Sequence, residues 1–403
     1  NISDEYRLKL TQLTDLFERN RKQYNTSAYD EANTRTDFID KFFELLGWDI
    51  RNEQGYSEQY REVVREDKVT IAGRVKAPDY AFRIGGVRKF FVEAKKPAVS
   101  VKNAAEPAFQ VRRYGYSAKL PLSILTNFEE FAVYDTRIKP SKTDDASVAR
   151  IFYCTYEDYL KEFDFLYNTF SKSAILKGGL DRYVEENKNK RGTSEVDHEL
   201  LKTSESWREE LAKNIALNNP DIKLYELNLA VQKIVDRIIF LRIAEDKGIE
   251  EYATLLKTCG HLRRYEAKNN TQRTTSTLPF IFGSVPSIYS ACFKQEEKDS
   301  SLKSSEEKPK SSIIYSTLVS LFNKANIKYN SGLFAKVPFL DALKIDDKVF
   351  INIIEGLYYP DCPYEFSILP VEILGSIYEQ FLGKTIKFRG VKREKHTAII
   401  EEK

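Results

Sequence analysis

Between Pro78 and Lys95 the chain reads PDYAFRIGGVRKFFVEAK, and this stretch restricts the fold more than any other. Two runs of aromatic and branched residues flank Gly85-Gly86, the pair that a tight turn between antiparallel strands calls for. Side chains alternate faces along a strand, so Glu93 and Lys95 point the same way. The direction of Asp79 depends on register. A strict two-residue turn pairs Ile84 with Val87 and Asp79 with Val92, which turns Asp79 away from Glu93. An offset of one residue, from a bulge or a three-residue turn, pairs Asp79 with Phe91 or Glu93. That offset is the expected arrangement, because only it gathers the acids.

An acid, a hairpin and then Glu-Ala-Lys on a strand supply what metal-dependent phosphodiester hydrolysis needs. Asp79, Glu93 and the Ala94 carbonyl can hold Mg2+, a hard ion that prefers oxygen ligands and keeps several waters, with Mn2+ as a substitute. Lys95 can orient or deprotonate a water for in-line attack and stabilise charge on the phosphate oxygens. Glu-x-Lys alone is common on surface hairpins. The Pro-Asp at hairpin distance, and its setting, raise it above that background.

That setting is basic. Residues 68–119 hold twelve Lys/Arg against three Asp/Glu, within a chain whose net charge is only +3. Two of the three acids are Asp79 and Glu93. A basic block with Tyr80, Phe82, Phe90, Phe91, Tyr114 and Tyr116 interleaved suits a polyanion, most simply nucleic acid; a solvated basic face is the plainer reading. Lys76, Lys96, Arg112 and Arg113 are its candidate phosphate contacts. Other chemistries are poorly supplied. The four cysteines (Cys154, Cys259, Cys292, Cys362) form no CxxC pair and only three histidines occur, which argues against zinc centres and disulfide scaffolds. No apolar run reaches the ~20 residues of a bilayer span, and no secretory signal is visible.

At 403 residues the chain is long enough for two or three domains. Apolar periodicity predicts helices over 4–22 and about 34–46, with Gly47 as a stop. Strands follow near 68–72, 79–84 and 87–95, a helix at about 104–118, and strands at 122–126, 131–135 and 148–153. This order predicts an α/β domain with a mixed sheet flanked by helices over residues 1–155. From 156 the pattern is helical: a connector to about 350 with a long helix over 222–257, and a helical lead-in over 351–403 that includes 370–383. Residues 295–312 are charged and low in complexity, as in a mobile segment.

Together, Asp79, Glu93 and Lys95 resemble the motif of the PD-(D/E)xK nuclease superfamily. YDEANTRTDFIDKFFELLGWDI (29–50) is similar to the first helices of the nuclease domain in restriction–modification proteins, where an acid, here Glu31, assists the metal site. QVRRYGYSAKLPLSILTNFEEFAVYD (110–135) resembles the Gln-x-x-x-Tyr helix and following strands of that family. The resemblance implies site roles for Gln110 and Tyr114, which at i and i+4 share a helix face. Glu31 also fits a plain helix-start acid, and Tyr114 a core residue. Segments 227–249, 329–334 and 373–383 resemble the connector of bifunctional type IIG restriction enzymes. There a methyltransferase with an Asn-Pro-Pro motif and an S-adenosylmethionine loop follows. No Asn-Pro-Pro occurs in the chain, so the resemblance implies a nuclease-plus-connector portion that binds no S-adenosylmethionine itself. It further implies an Mg2+-dependent endonuclease acting on double-stranded DNA in a bacterial or archaeal cytoplasm. Cutting both strands with one site per chain requires transient self-association or two successive nicks. A repair nuclease of the same fold and a non-cleaving DNA-binding scaffold are the competing readings.

Overall fold

The computed structural model describes residues 4–65, 77–186, 196–260, 313–370, 372, 375, 379, 384–389 and 397–402. Helix α1 spans Asp4–Tyr24, with Asp4 and Glu5 against the positive end of its dipole and Arg21 and Lys22 near the other. Next come α2 (Glu31–Thr34), a π turn (Arg35–Ile39) and α3 (Asp40–Leu45), which run on as one irregular helix. Asp30 caps it by accepting from the Asn33 amide at 2.8 Å.

Six strands form one sheet in sequence order: β1 (Val63–Val64), β2 (Tyr80–Ile84), β3 (Val87–Ala94), β4 (Leu122–Thr126), β5 (Glu130–Asp135) and β6 (Arg150–Thr155). Every pairing is antiparallel except β3 with β4, which is parallel. A parallel neighbour needs a crossover, and α4 (Ala105–Ser117) supplies it. The sheet is thus mixed and helix-flanked, as expected. The strand expected at 68–72 lies outside the described residues, while Val63–Val64 forms an edge strand the periodicity did not signal.

The two faces have different cores. On one, Leu10, Phe17, Phe42 and Phe43 pack with Phe90, Val92, Ile124 and Val133. Phe82 and Phe90 stack there with ring centroids 4.5 Å apart. Helices α5 (Phe163–Phe170), α6 (Lys172–Leu176) and α7 (Gly179–Glu186) add Phe163, Leu166, Phe170, Ile175 and Leu180 to the same cluster. The packed unit around the sheet therefore runs past residue 155. On the other face α4 lies close against β4. A Cβ on Gly115 would come within 2.5 Å of Ser123 Oγ and Thr136 Cγ2, so glycine there sets the depth of the helix.

The remainder is mostly helical: α8 (Val196–Asn218), α9 (Leu224–Asp246), α10 (Thr254–Thr258), α11 (Ile313–Tyr329) and α12 (Asp347–Glu355). The long helix expected over 222–257 is two, because Gly248 (φ 72°) and Ala253 (φ 63°) take left-handed conformations between α9 and α10. Helix is also not continuous through 351–403: β7 (Lys384–Arg389) and β8 (Thr397–Glu402) pair as an antiparallel hairpin. The mobile segment expected at 295–312, and most of 370–383, fall outside the described residues. Among the described residues no helix is long and apolar enough to cross a membrane.

Candidate metal centre

The hairpin carries the offset that the chemistry requires. Ile84 pairs with Val87 and Arg83 with Arg88, so the Gly85-Gly86 turn is tight; the register then shifts, and Phe82 pairs with Phe90. Lys89 is the extra residue of this bulge. Ala81 and Tyr80 follow opposite Phe91 and Val92, and one step further Asp79 lies across from Glu93. Both acids are buried, Asp79 at 3% exposure and Glu93 at 2%. The Ala94 amide donates to Asp79 Oδ2 at 2.8 Å, which ties the start of one strand to the end of the other.

Two carboxylates buried side by side need counter-charge. Lys95 Nζ lies 2.6 Å from Glu93 Oε1 and 3.8 Å from Glu31 Oε2. Glu31 reaches the centre because it stands in the first turn of the irregular helix. Arg35, one turn on, places Nη1 2.6 Å from Asp79 Oδ1. Among the described residues, these three acids are held by Lys95 and Arg35, and Glu93 Oε2 is buried with no hydrogen-bond partner. Burial, partly offset by Lys95 and reinforced by the charge of Asp79, pushes the Glu93 carboxyl up to about 7. Burial alone would lower Lys95, yet Glu93, Glu31 and Asp79 together raise it, so its ammonium form is favoured.

The donor chemistry fits a hard cation: buried carboxylate oxygens, one of them orphaned. Among the described residues, however, no three His, Cys, Asp or Glu side chains converge as a ready-made metal cluster. Arg35 and Lys95 hold the acids instead. Arg35 escaped the sequence reading, although its i+4 spacing from Glu31 on a helix that bears a candidate site acid was a usable signal.

Helix α4 covers the neighbouring region. Gln110 Nε2 donates to Tyr114 Oη at 2.9 Å. Tyr114 is buried beside Phe91 and Leu120; burial first, then the Glu93 charge, raises its phenol well above the ordinary range. It is therefore both core residue and neighbour of the acids. Arg112 and Arg113, expected as phosphate contacts, are buried and paired within the chain. Arg112 is 1% exposed and pairs with Asp144 at 2.7 Å. Arg113 is buried, with Nη1 2.9 Å from Glu365 Oε2, Nε donating to the Cys362 carbonyl at 3.0 Å and Nη2 to that of Tyr364. Their charge is spent inside the chain, which a count of basic residues could not reveal. Lys96 is half-buried beside Lys95, and Lys76 lies outside the described residues.

The domain described as "Type I restriction enzyme R protein N terminus" matches residues 28–142, a span that contains Glu31, Arg35, Asp79, Glu93, Lys95, Gln110 and Tyr114. The chain is 33% identical over 381 residues, 94% of its own length, to the "Type II restriction enzyme and methyltransferase RM.Eco57I" of Escherichia coli. It spans 33% of that relative. No solved structure matches. The chain is thus similar, over nearly all of its own length, to a third of a type II restriction–modification enzyme, and its residues 28–142 match a restriction-enzyme N-terminal domain.

Proposed function

We propose that this portion is an Mg2+-dependent DNA endonuclease of the PD-(D/E)xK type, with its site at Asp79, Glu93 and Lys95. The observation that carries this reading is the bulged hairpin, which sets two buried carboxylates across from one another with a lysine on the same face. Asp79, Glu93 and the Ala94 carbonyl would hold the ion, with Glu31 beside them. Such an ion, when bound, supplies Lewis-acid activation of water and neutralises charge on the phosphate. Lys95, held as ammonium, stabilises negative charge on the phosphate oxygens and orients the attacking water. Gln110 and Tyr114 border the acids from α4, where Tyr114, held neutral, can donate a hydrogen bond. Lys96, at the strand end, is the remaining described candidate for a phosphate contact. Residues after this portion of the parent enzyme would supply target recognition and adenine-N6 methylation, and S-adenosylmethionine would bind there. Double-stranded DNA is the substrate, cut by transient pairing of two chains or by successive nicks.

The test is nicking of supercoiled plasmid by this chain in Mg2+ or Mn2+, with Lys95→Ala in parallel. Metal-dependent nicking that falls at least about a hundredfold in the variant is expected, a loss typical of removing one charge-stabilising group. DNA binding with no cutting in either metal would favour the scaffold reading instead, and nicking retained by Lys95→Ala would move the site elsewhere.

A further inference from the structure

Arg35 stands where the metal reading needs a cation. Its Nη1 is 2.6 Å from Asp79 Oδ1, and the other oxygen of Asp79 accepts from the Ala94 amide at 2.8 Å. Asp79 has thus turned both oxygens toward protein donors. The arginine side chain is 23% exposed while that of Asp79 is 1%, so the acid is fixed and the base has room to leave. Arg35 opens the π turn Arg35–Ile39, a widened turn of a kind found often at functional sites. One turn earlier on the same helix, Glu31 reaches Lys95. The helix therefore brings an acid to the site's base and a base to the site's acid.

We propose that Arg35 is a resident stand-in for the metal: its guanidinium neutralises Asp79 in the metal-free protein and must be displaced before Asp79 can act as a ligand. The proposal rests on the metal reading above and adds to it a competition built into the chain. In the metal-free protein the site is closed on its own cations, Arg35 on Asp79 and Lys95 on Glu93 and Glu31. Competition of this kind lowers apparent affinity by the fraction of molecules in which Asp79 is released. Removing Arg35 should therefore tighten metal binding, whereas an arginine that merely orients Asp79 would weaken binding when lost.

The experiment is calorimetric titration of the full chain with Mn2+, for wild type, Arg35→Met, Arg35→Lys and Asp79→Ala. Arg35→Met keeps the apolar stem and is expected to bind Mn2+ about tenfold more tightly, the gain if about one wild-type molecule in ten has Asp79 released. Arg35→Lys retains charge without the planar fork and is expected between the two. It carries the test if Arg35→Met does not fold. Equal or weaker binding in the folded Arg35 variants overturns the stand-in role. The metal reading survives that result if wild type binds and Asp79→Ala does not. Binding by Arg35→Met alone would support the proposal in its strongest form. No binding by any of the four proteins overturns both.

Discussion

Glu93 is the residue on which the opposing demands of this site fall together. It is buried against water, paired on one oxygen with Lys95 and orphaned on the other. Its carboxyl rises from an ordinary 4.5 to about 7. In the metal-free protein the folded state therefore holds a proton, between about pH 4.5 and 7, that the unfolded chain has released. Folded protein binding more protons means that stability falls as pH rises through this window, by up to about 1.4 kcal/mol per unit. Glu93→Gln removes the titrating group. Chemical unfolding of both proteins from pH 4.5 to 7, without divalent metal, should give a shallower decline in the variant; parallel curves would show that Glu93 is not the protonated group. The convergence of Asp79, Glu93 and Lys95 was largely legible, because an acid at fixed spacing from Glu-x-Lys is a local pattern. Arg35 was less so, since its partner Asp79 is 44 positions away and only the fold brings them together.

At the level of elements, the hairpin and α4 determine where those side chains point. The one-residue offset could be argued from the sequence because a two-residue turn would misplace Asp79. Its position at Lys89 could not, since any residue of either strand can in principle be the bulged one. The depth of α4 depends on Gly115, whose Cα faces Ser123 and Thr136 at closer range than a methyl group permits. Gly115→Ala should lift the helix and move Gln110 and Tyr114 relative to Glu93, at about 1–3 kcal/mol of stability for the overpacking. Thermal unfolding together with nicking rate checks this: both should fall. A fully active, equally stable variant would show that α4 has slack against the sheet. The break between α9 and α10 was obscured by an apolar pattern continuing across Gly248, a residue whose left-handed conformation is a tertiary outcome.

Over the whole molecule, α4 is also an element that joins the sheet to the helical region. Its Tyr116 belongs to the helical core, and Ser117 Oγ accepts from the Glu365 amide at 2.8 Å. Arg113 lies buried between the two regions, a depth that charge in a sequence does not carry. Arg113→Ala leaves Glu365 buried without its partner and should cost about 3–5 kcal/mol. Denaturant unfolding reads that loss. The salt slope of DNA binding, set by phosphate contacts, should stay unchanged in any fraction that folds; a shallower slope would return Arg113 to the DNA surface. The proposed nuclease activity requires Asp79 and Glu93 to form a metal centre. Crystals of the chain soaked in Mn2+ and measured for anomalous scattering test it most directly. A peak between the Asp79 and Glu93 carboxylates is expected, with the Arg35 guanidinium moved off Asp79. No peak there at saturating Mn2+, with the ion seated elsewhere or nowhere, would contradict it.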